Sequence, residues 1–131
     1  MSDTKIPSDL RFTKEHEWTR VAGGEVTVGI SAFAVEQLGD ITLVNIDVKV
    51  GDVVTQGKAF GTIESVKTLS DLYSPVTGKV VRVNAELTDK PELVNEDCYA
   101  KAWMITIASD DKAASLMDAA AYGEFLKTAA H

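Results

Sequence analysis

Short runs rich in Val, Ile and Thr recur along the chain between glycine-containing turns, and this rhythm limits the fold more than any other feature. Glu25-Val26-Thr27-Val28-Gly29-Ile30 follows the turn Ala22-Gly23-Gly24, which joins it to a shorter strand around Glu17-Trp18-Thr19-Arg20 as a hairpin. Ile41 to Ile46 and Val53-Val54 read as strands, with Lys49-Val50-Gly51-Asp52 turning between them, and Gly78 to Asn84 and Trp103 to Ile107 extend the series. Between two of these runs, Ser31 is placed to cap a short helix from Ala32 to Leu38 that Gly39 ends. Residues 85–102 read as a loop, or at most a helical turn near Pro91. From Ser115 onward the chain is rich in good helix formers, and Leu116, Tyr122, Phe125 and Leu126 predict an apolar stripe that docks on the β core.

These elements predict a mainly β fold, a sandwich or flattened barrel, with short helices and a C-terminal helix. A length of 131 residues allows one domain over 1–131, with a β core at about 10–108 and a helical segment at about 109–131. A faint repeat, Gly51-Asp52-Val53-Val54 and Gly78-Lys79-Val80-Val81, fits two related halves joined by a central hairpin.

That hairpin is formed by Lys58 to Glu64 and Thr68 to Tyr73, and its tip, Ser65-Val66-Lys67-Thr68, holds none of the Gly, Asn or Pro that tight turns demand. An exposed lysine there is commonly a solubilising residue. A Schiff-base role fits poorly, because Glu64 and Asp71 nearby favour the charged amine. A lysine protruding from a stiff hairpin is well suited to be acylated by another enzyme.

Charge and composition narrow the function. A formal net charge of −7 argues against a nucleic-acid surface and points to basic partners. Apolar runs are too short to cross a bilayer. The lone Cys98 has no partner for an internal disulfide, and His16 and His131 offer no metal-ligand spacing. The N-terminal MSDTKIPSDL lacks the marks of a signal or transit sequence, so a cytoplasmic address is expected.

Several stretches then add up to a resemblance. Glu64-Ser65-Val66-Lys67, the segment SDLYSPVTGKV after it, VNAELTDKPELVNED, KEHEW at 14–18, GISAFA at 29–34, LGDI at 38–41, WMI at 103–105 and a terminal LMDAAAYGEFL are similar to the lipoyl-carrying H proteins of the glycine cleavage system. The likeness runs from about Leu10 to Leu126 and implies a lipoyl/biotinyl-type flattened β-barrel, or barrel-sandwich hybrid. It implies that Lys67 carries lipoate in amide linkage, with Glu64, Ser65 and Val66 presenting it to a lipoyl-attaching enzyme. Biotin carriers share the hairpin lysine but flank it with methionines, where this chain has Val66 and Thr68.

By the same resemblance the chain is a non-enzymatic carrier. It would take an aminomethyl group from glycine at a pyridoxal-phosphate-dependent glycine decarboxylase and pass it to a tetrahydrofolate-dependent aminomethyltransferase. Dihydrolipoamide dehydrogenase would then reoxidise the arm. An alternative keeps the lysine but makes the chain a lipoyl relay to 2-oxoacid dehydrogenases, and another is an unmodified β module that docks a basic partner. Glu17 and Asp71 are the acids expected to hold the cargo amine in a cleft beside the hairpin. The chain departs from the family at Cys98, Ala100 and Ala102, where proline and two glycines are common, and at Asn45-Ile46-Asp47.

Overall fold

A computed structural model describes residues 8–109 and 116–129. In chain order the strands and helices are β1 (Arg11–Phe12), β2 (Glu17–Ala22), β3 (Glu25–Ile30), α1 (Ala32–Leu38), β4 (Ile41–Ile46), β5 (Val53–Val54), β6 (Ala59–Ser65), β7 (Leu69–Tyr73), β8 (Gly78–Val83), α2 (Glu86–Asp89), α3 (Leu93–Glu96), β9 (Ile105–Ala108) and α4 (Ala119–Ala129).

All strand pairs are antiparallel and fall into two sheets. One has the order β1-β2-β3-β9-β8-β5 and the other β4-β6-β7. Both contribute to one core: Val26, Val28, Val80, Ile105 and Ile107 from the first meet Val44, Phe60, Ile63 and Leu72 from the second. Most of these side chains are fully out of water, and each is worth about 1.5–3 kcal/mol of apolar transfer. Two sheets sharing one core are compatible with the flattened barrel implied by resemblance.

The internal repeat has a structural counterpart, because its two copies pair with each other: Val53 lies opposite Lys79 and Val54 opposite Gly78. Gly51 donates to the Val80 carbonyl at 2.9 Å and Val80 donates to that of Asp52 at 2.8 Å. Gly78 has no room for a side chain, since a Cβ there would fall on the Ala108 carbonyl and 2.7 Å from Ile107 Cγ2.

The helix α1 begins and ends as the sequence predicts, with the Ser31 hydroxyl accepting from the Ala34 amide and Gly39 closing the last turn. At the C-terminus the expectation needs correction. Leu116 is outside α4, because Met117 forms a β-bridge with Phe12 that engages its N–H and carbonyl. Asp118 then caps the helix by accepting from the Ala121 amide at 2.8 Å. Tyr122 and Leu126, four residues apart, bury one face of α4 against Leu10, Phe12, Trp18 and Phe33, while Leu116 packs on the central core. Ser115 and His131 lie outside the described residues.

The segment 85–102 holds two four-residue helices, α2 and α3, on either side of Pro91, one turn more than the sequence predicts there. At the departures from the family pattern, His16 is the one described non-glycine residue with positive φ, so Ala100 and Ala102 need no glycine. The Cys98 carbonyl accepts from Trp18 Nε1 at 2.8 Å, and burial pushes the thiol pKa up to about 11. Asn45 Nδ2 donates to Asp47 across the other departure at 2.6 Å.

Candidate functional site

The β6–β7 hairpin turns without glycine because a side chain does the work of the turn. Ser65 Oγ accepts from the amides of Lys67 at 3.1 Å and Thr68 at 3.2 Å, while the Ser65 amide donates to the Thr68 carbonyl at 2.8 Å. The Val66 amide donates to the Asp40 carbonyl at 3.0 Å, tying the tip to the α1–β4 connection. Ser65 is thus buried, while Glu64, Val66 and Lys67 are exposed around it. Val66 and Leu69 stand 67% and 62% exposed, an apolar collar on either side of the lysine. The lysine stem runs close to Gly39, where a Cβ would come 3.5 Å from Lys67 Cε.

Gly39 follows Leu38, and Leu38 is part of the wall of a cavity of about 160 Å3. Its other walls include His16 and Glu17 of the β1–β2 turn and β2, Gln37 of α1, Ile63 of β6 and Asp71 of β7. The two acids chosen from the sequence therefore line one cavity next to the lysine. A larger cavity of about 290 Å3, beside Phe12, Lys14 and Pro75, touches none of the predicted site residues.

The two acids differ in kind. Glu17 is 2% exposed and links the sheets: Oε1 accepts from the Thr13 hydroxyl at 2.6 Å and Oε2 from the Tyr73 amide at 3.2 Å. Burial raises its pKa from 4.5 to about 7, outweighing the Thr13 and Tyr73 hydrogen bonds that favour the charged form. Asp71 is exposed at the rim, with a long contact of 3.4 Å from the Tyr73 hydroxyl.

His16 is the residue that sequence reasoning undervalued. Its φ of 71° is uncommon for a residue with a Cβ, and its Nδ1 lies 2.8 Å from the Tyr122 hydroxyl. Phe33 and Phe125 flank the ring at 4.8 and 6.0 Å between centroids. Burial lowers its pKa below 6.5, with Glu15 acting the other way, so the neutral ring is favoured. Adjacency to Glu17 was the available signal; the contact with Tyr122, 106 residues away, left none.

A family model described as glycine cleavage H-protein matches residues 10–129. The chain belongs to the glycine cleavage H-protein family. It is 52% identical over 124 residues to the glycine cleavage system H protein of Myxococcus xanthus (strain DK1622), covering 93% of this chain and 95% of that one. It is 50% identical over 125 residues to the H protein of Anaeromyxobacter sp. (strain K), covering 94% and 97%. Among solved structures, the glycine cleavage system H protein of Mycobacterium marinum superposes with a TM-score of 0.82 at 34% identity, over 96% of this chain and 100% of that one. The superposition extends over the two-sheet architecture described above.

Proposed function

We propose that this H-protein family member carries lipoate in amide linkage to Lys67 and keeps the arm in the cavity between α1 and β7 when the arm is loaded. Family membership makes the chain a lipoyl carrier, the non-catalytic component of the glycine cleavage system. The observation that carries the assignment of the site is an exposed lysine on a braced tip, beside a cavity lined by acids.

The residues fit the group. An acylated lysine reaches on the order of 10–15 Å, more than enough to enter an adjacent cavity. A volume of about 160 Å3 suits a small ring, since a cavity of about 150 Å3 accommodates benzene. When bound, lipoate supplies a dithiolane that accepts the aminomethyl group of glycine and later yields it to the folate-dependent partner.

The chain's own residues do the holding. Ser65 and Asp40 fix the tip backbone so that an attaching enzyme meets one geometry, and Glu64 and Val66 offer the surface it reads. Ile63, Leu72 and Leu38 give the cavity apolar walls against which a docked ring would displace water. Asp71 is the acid suited to a cationic amine, because it is exposed at the rim and engaged there by one long contact from the Tyr73 hydroxyl, which leaves room for a charge-assisted hydrogen bond. Glu17, already accepting two hydrogen bonds, contributes mainly by holding β2 to β7 and shaping the wall.

The partners follow from this role: glycine decarboxylase, the aminomethyltransferase, dihydrolipoamide dehydrogenase and a lipoyl-attaching enzyme. Bacterial relatives support the cytoplasmic address. The test is intact-mass and peptide analysis after incubation with a lipoyl ligase, ATP and lipoate. One lipoyl group on the peptide containing Lys67 is expected; an unmodified chain, or a label on another lysine, overturns the assignment.

A further inference from the structure

We propose that Tyr122 is a positioning residue for the cavity beside Lys67, its hydroxyl holding His16 as the tautomer protonated on Nε2 so that the imidazole offers the cavity a hydrogen-bond donor. This rests on the arm-docking reading above.

The assignment comes from counting protons along one chain of contacts that runs from buried Ser31 to half-buried His16. Ser31 Oγ accepts from the Ala34 amide at 3.2 Å and lies 2.7 Å from the Tyr122 hydroxyl, which lies 2.8 Å from His16 Nδ1. Ser31 is wholly buried, and Tyr122 is the one acceptor its hydroxyl hydrogen meets among the described residues. Ser31 therefore donates to Tyr122, and Tyr122 spends its own hydrogen on His16 Nδ1. A neutral imidazole whose Nδ1 accepts must carry its proton on Nε2. Reversing the direction would strand the Ser31 hydrogen without an acceptor in a dry site, which is costly.

Two further observations indicate that the histidine is held for its side chain. Its backbone sits at φ 71°, a strained region that glycine would relieve, yet a ring is kept there. Its Nε2 has no hydrogen-bond partner among the described residues, although the residue lines the cavity. Tyr122 in turn is fixed by its stack on Phe12, with centroids 4.3 Å apart and planes 3° from parallel. The same hydroxyl touches the N-cap of α1, the helix that supplies Ala34, Gln37 and Leu38 to the cavity. Helix α4 thus sets two walls through one oxygen.

The chemical consequence is a cavity whose lining holds both an acceptor and a donor. Asp71 accepts, and suits an amine; His16 donates, and suits the lipoyl amide carbonyl or a ring sulfur. Such a pairing orients an arm that carries an amine at one end.

The experiment uses lipoylated protein with 15N-labelled histidine in a His131→Gln background, leaving His16 as the single histidine. Long-range 1H–15N spectra at pH 7.5 are expected to show the proton on Nε2. Tyr122→Phe, which keeps the ring on Phe12, is expected to give mixed tautomers and to shorten retention of the aminomethyl group about fivefold. A proton on Nδ1 in the parent protein, or an unchanged tautomer in Tyr122→Phe, overturns the hydrogen-bond chain. Unchanged retention in Tyr122→Phe, while Asp71→Asn shortens it, overturns the role in arm positioning. If Asp71→Asn also leaves retention unchanged, the arm-docking reading fails and takes the positioning role with it, and the tautomer result alone then decides the hydrogen-bond chain.

Discussion

Replacing Glu17 with Gln should make the protein progressively more stable than its parent as pH rises. Glu17 joins β2 to β7 from a buried position, and burial lifts its pKa from 4.5 to about 7. The folded pKa lies above the unfolded one, so between pH 4.5 and 7 the folded state binds a proton that the unfolded state has lost. Stability from this group is complete below pH 4.5, falls as pH rises through that window and levels off above 7. At 1.36 kcal/mol per unit the shift amounts to about 3 kcal/mol. A glutamine keeps the Tyr73 contact through its oxygen and meets Thr13 Oγ1 with the donor reversed, an offset that is the same at every pH, and it does not titrate. Urea melts of the unlipoylated protein and of Glu17→Gln at pH 4.5, 5.5, 6.5 and 7.5 separate this group from the other acids, which titrate alike in both. The stability of the variant relative to the parent should rise by about 3 kcal/mol across the series. A difference that stays within about 0.5 kcal/mol at every pH would refute the claim that burial governs this carboxyl.

Three further outcomes follow from the geometry. Ser65→Ala removes the acceptor for the Lys67 and Thr68 amides, so it should cost about 1 kcal/mol in urea melts and slow lipoylation about fivefold in kcat/KM; parental kinetics would contradict a role for Ser65 in setting the tip. Gly78→Ala drives a methyl into the Ala108 carbonyl and should cost about 2 kcal/mol, whereas a loss under about 0.5 kcal/mol would mean the β8–β9 contact yields easily. With its thiol pushed up to about 11 from 9.0, Cys98 should react with iodoacetamide at pH 8 about a hundredfold more slowly than an unperturbed thiol, and alkylation at the ordinary rate would count against its burial.

The β framework is legible in the sequence where local chemistry and tertiary structure agree. Glu25–Ile30 and Ile41–Ile46 are strands by their own residue types, and Ser31 and Gly39 mark α1 with a cap and a stop. Of the short helices α2 and α3 only one turn near Pro91 is legible, because their N-cap positions, Ala85 and Glu92, make no side-chain capping bond. The start of α4 was misplaced because a long-range bridge, Phe12 to Met117, takes residues whose local propensity is helical. Strand β1 is two residues held by its neighbour, too short for any periodicity.

At the candidate site, the position of Lys67 on a hairpin tip is legible in the residues, and the resemblance is what draws Glu17 and Asp71 to the cleft beside it. That Glu17 is buried and Asp71 exposed depends on a second sheet that no local pattern reports. Ser65 was legible as a candidate but its job was hidden, since nothing in ESVK says that the hydroxyl turns inward. The His16–Tyr122–Ser31 chain spans separations of 106 and 91 residues, beyond the reach of any short motif.

The central claim is that one amine, held out on a braced hairpin, is where the carrier is loaded. Lys67→Arg keeps the charge and the stem but leaves no amine to acylate. Assayed with the decarboxylase, aminomethyltransferase, dihydrolipoamide dehydrogenase, lipoyl ligase and lipoate, this variant should fold as the parent does and support no glycine-dependent reduction of NAD. Turnover near the parental rate would contradict the account.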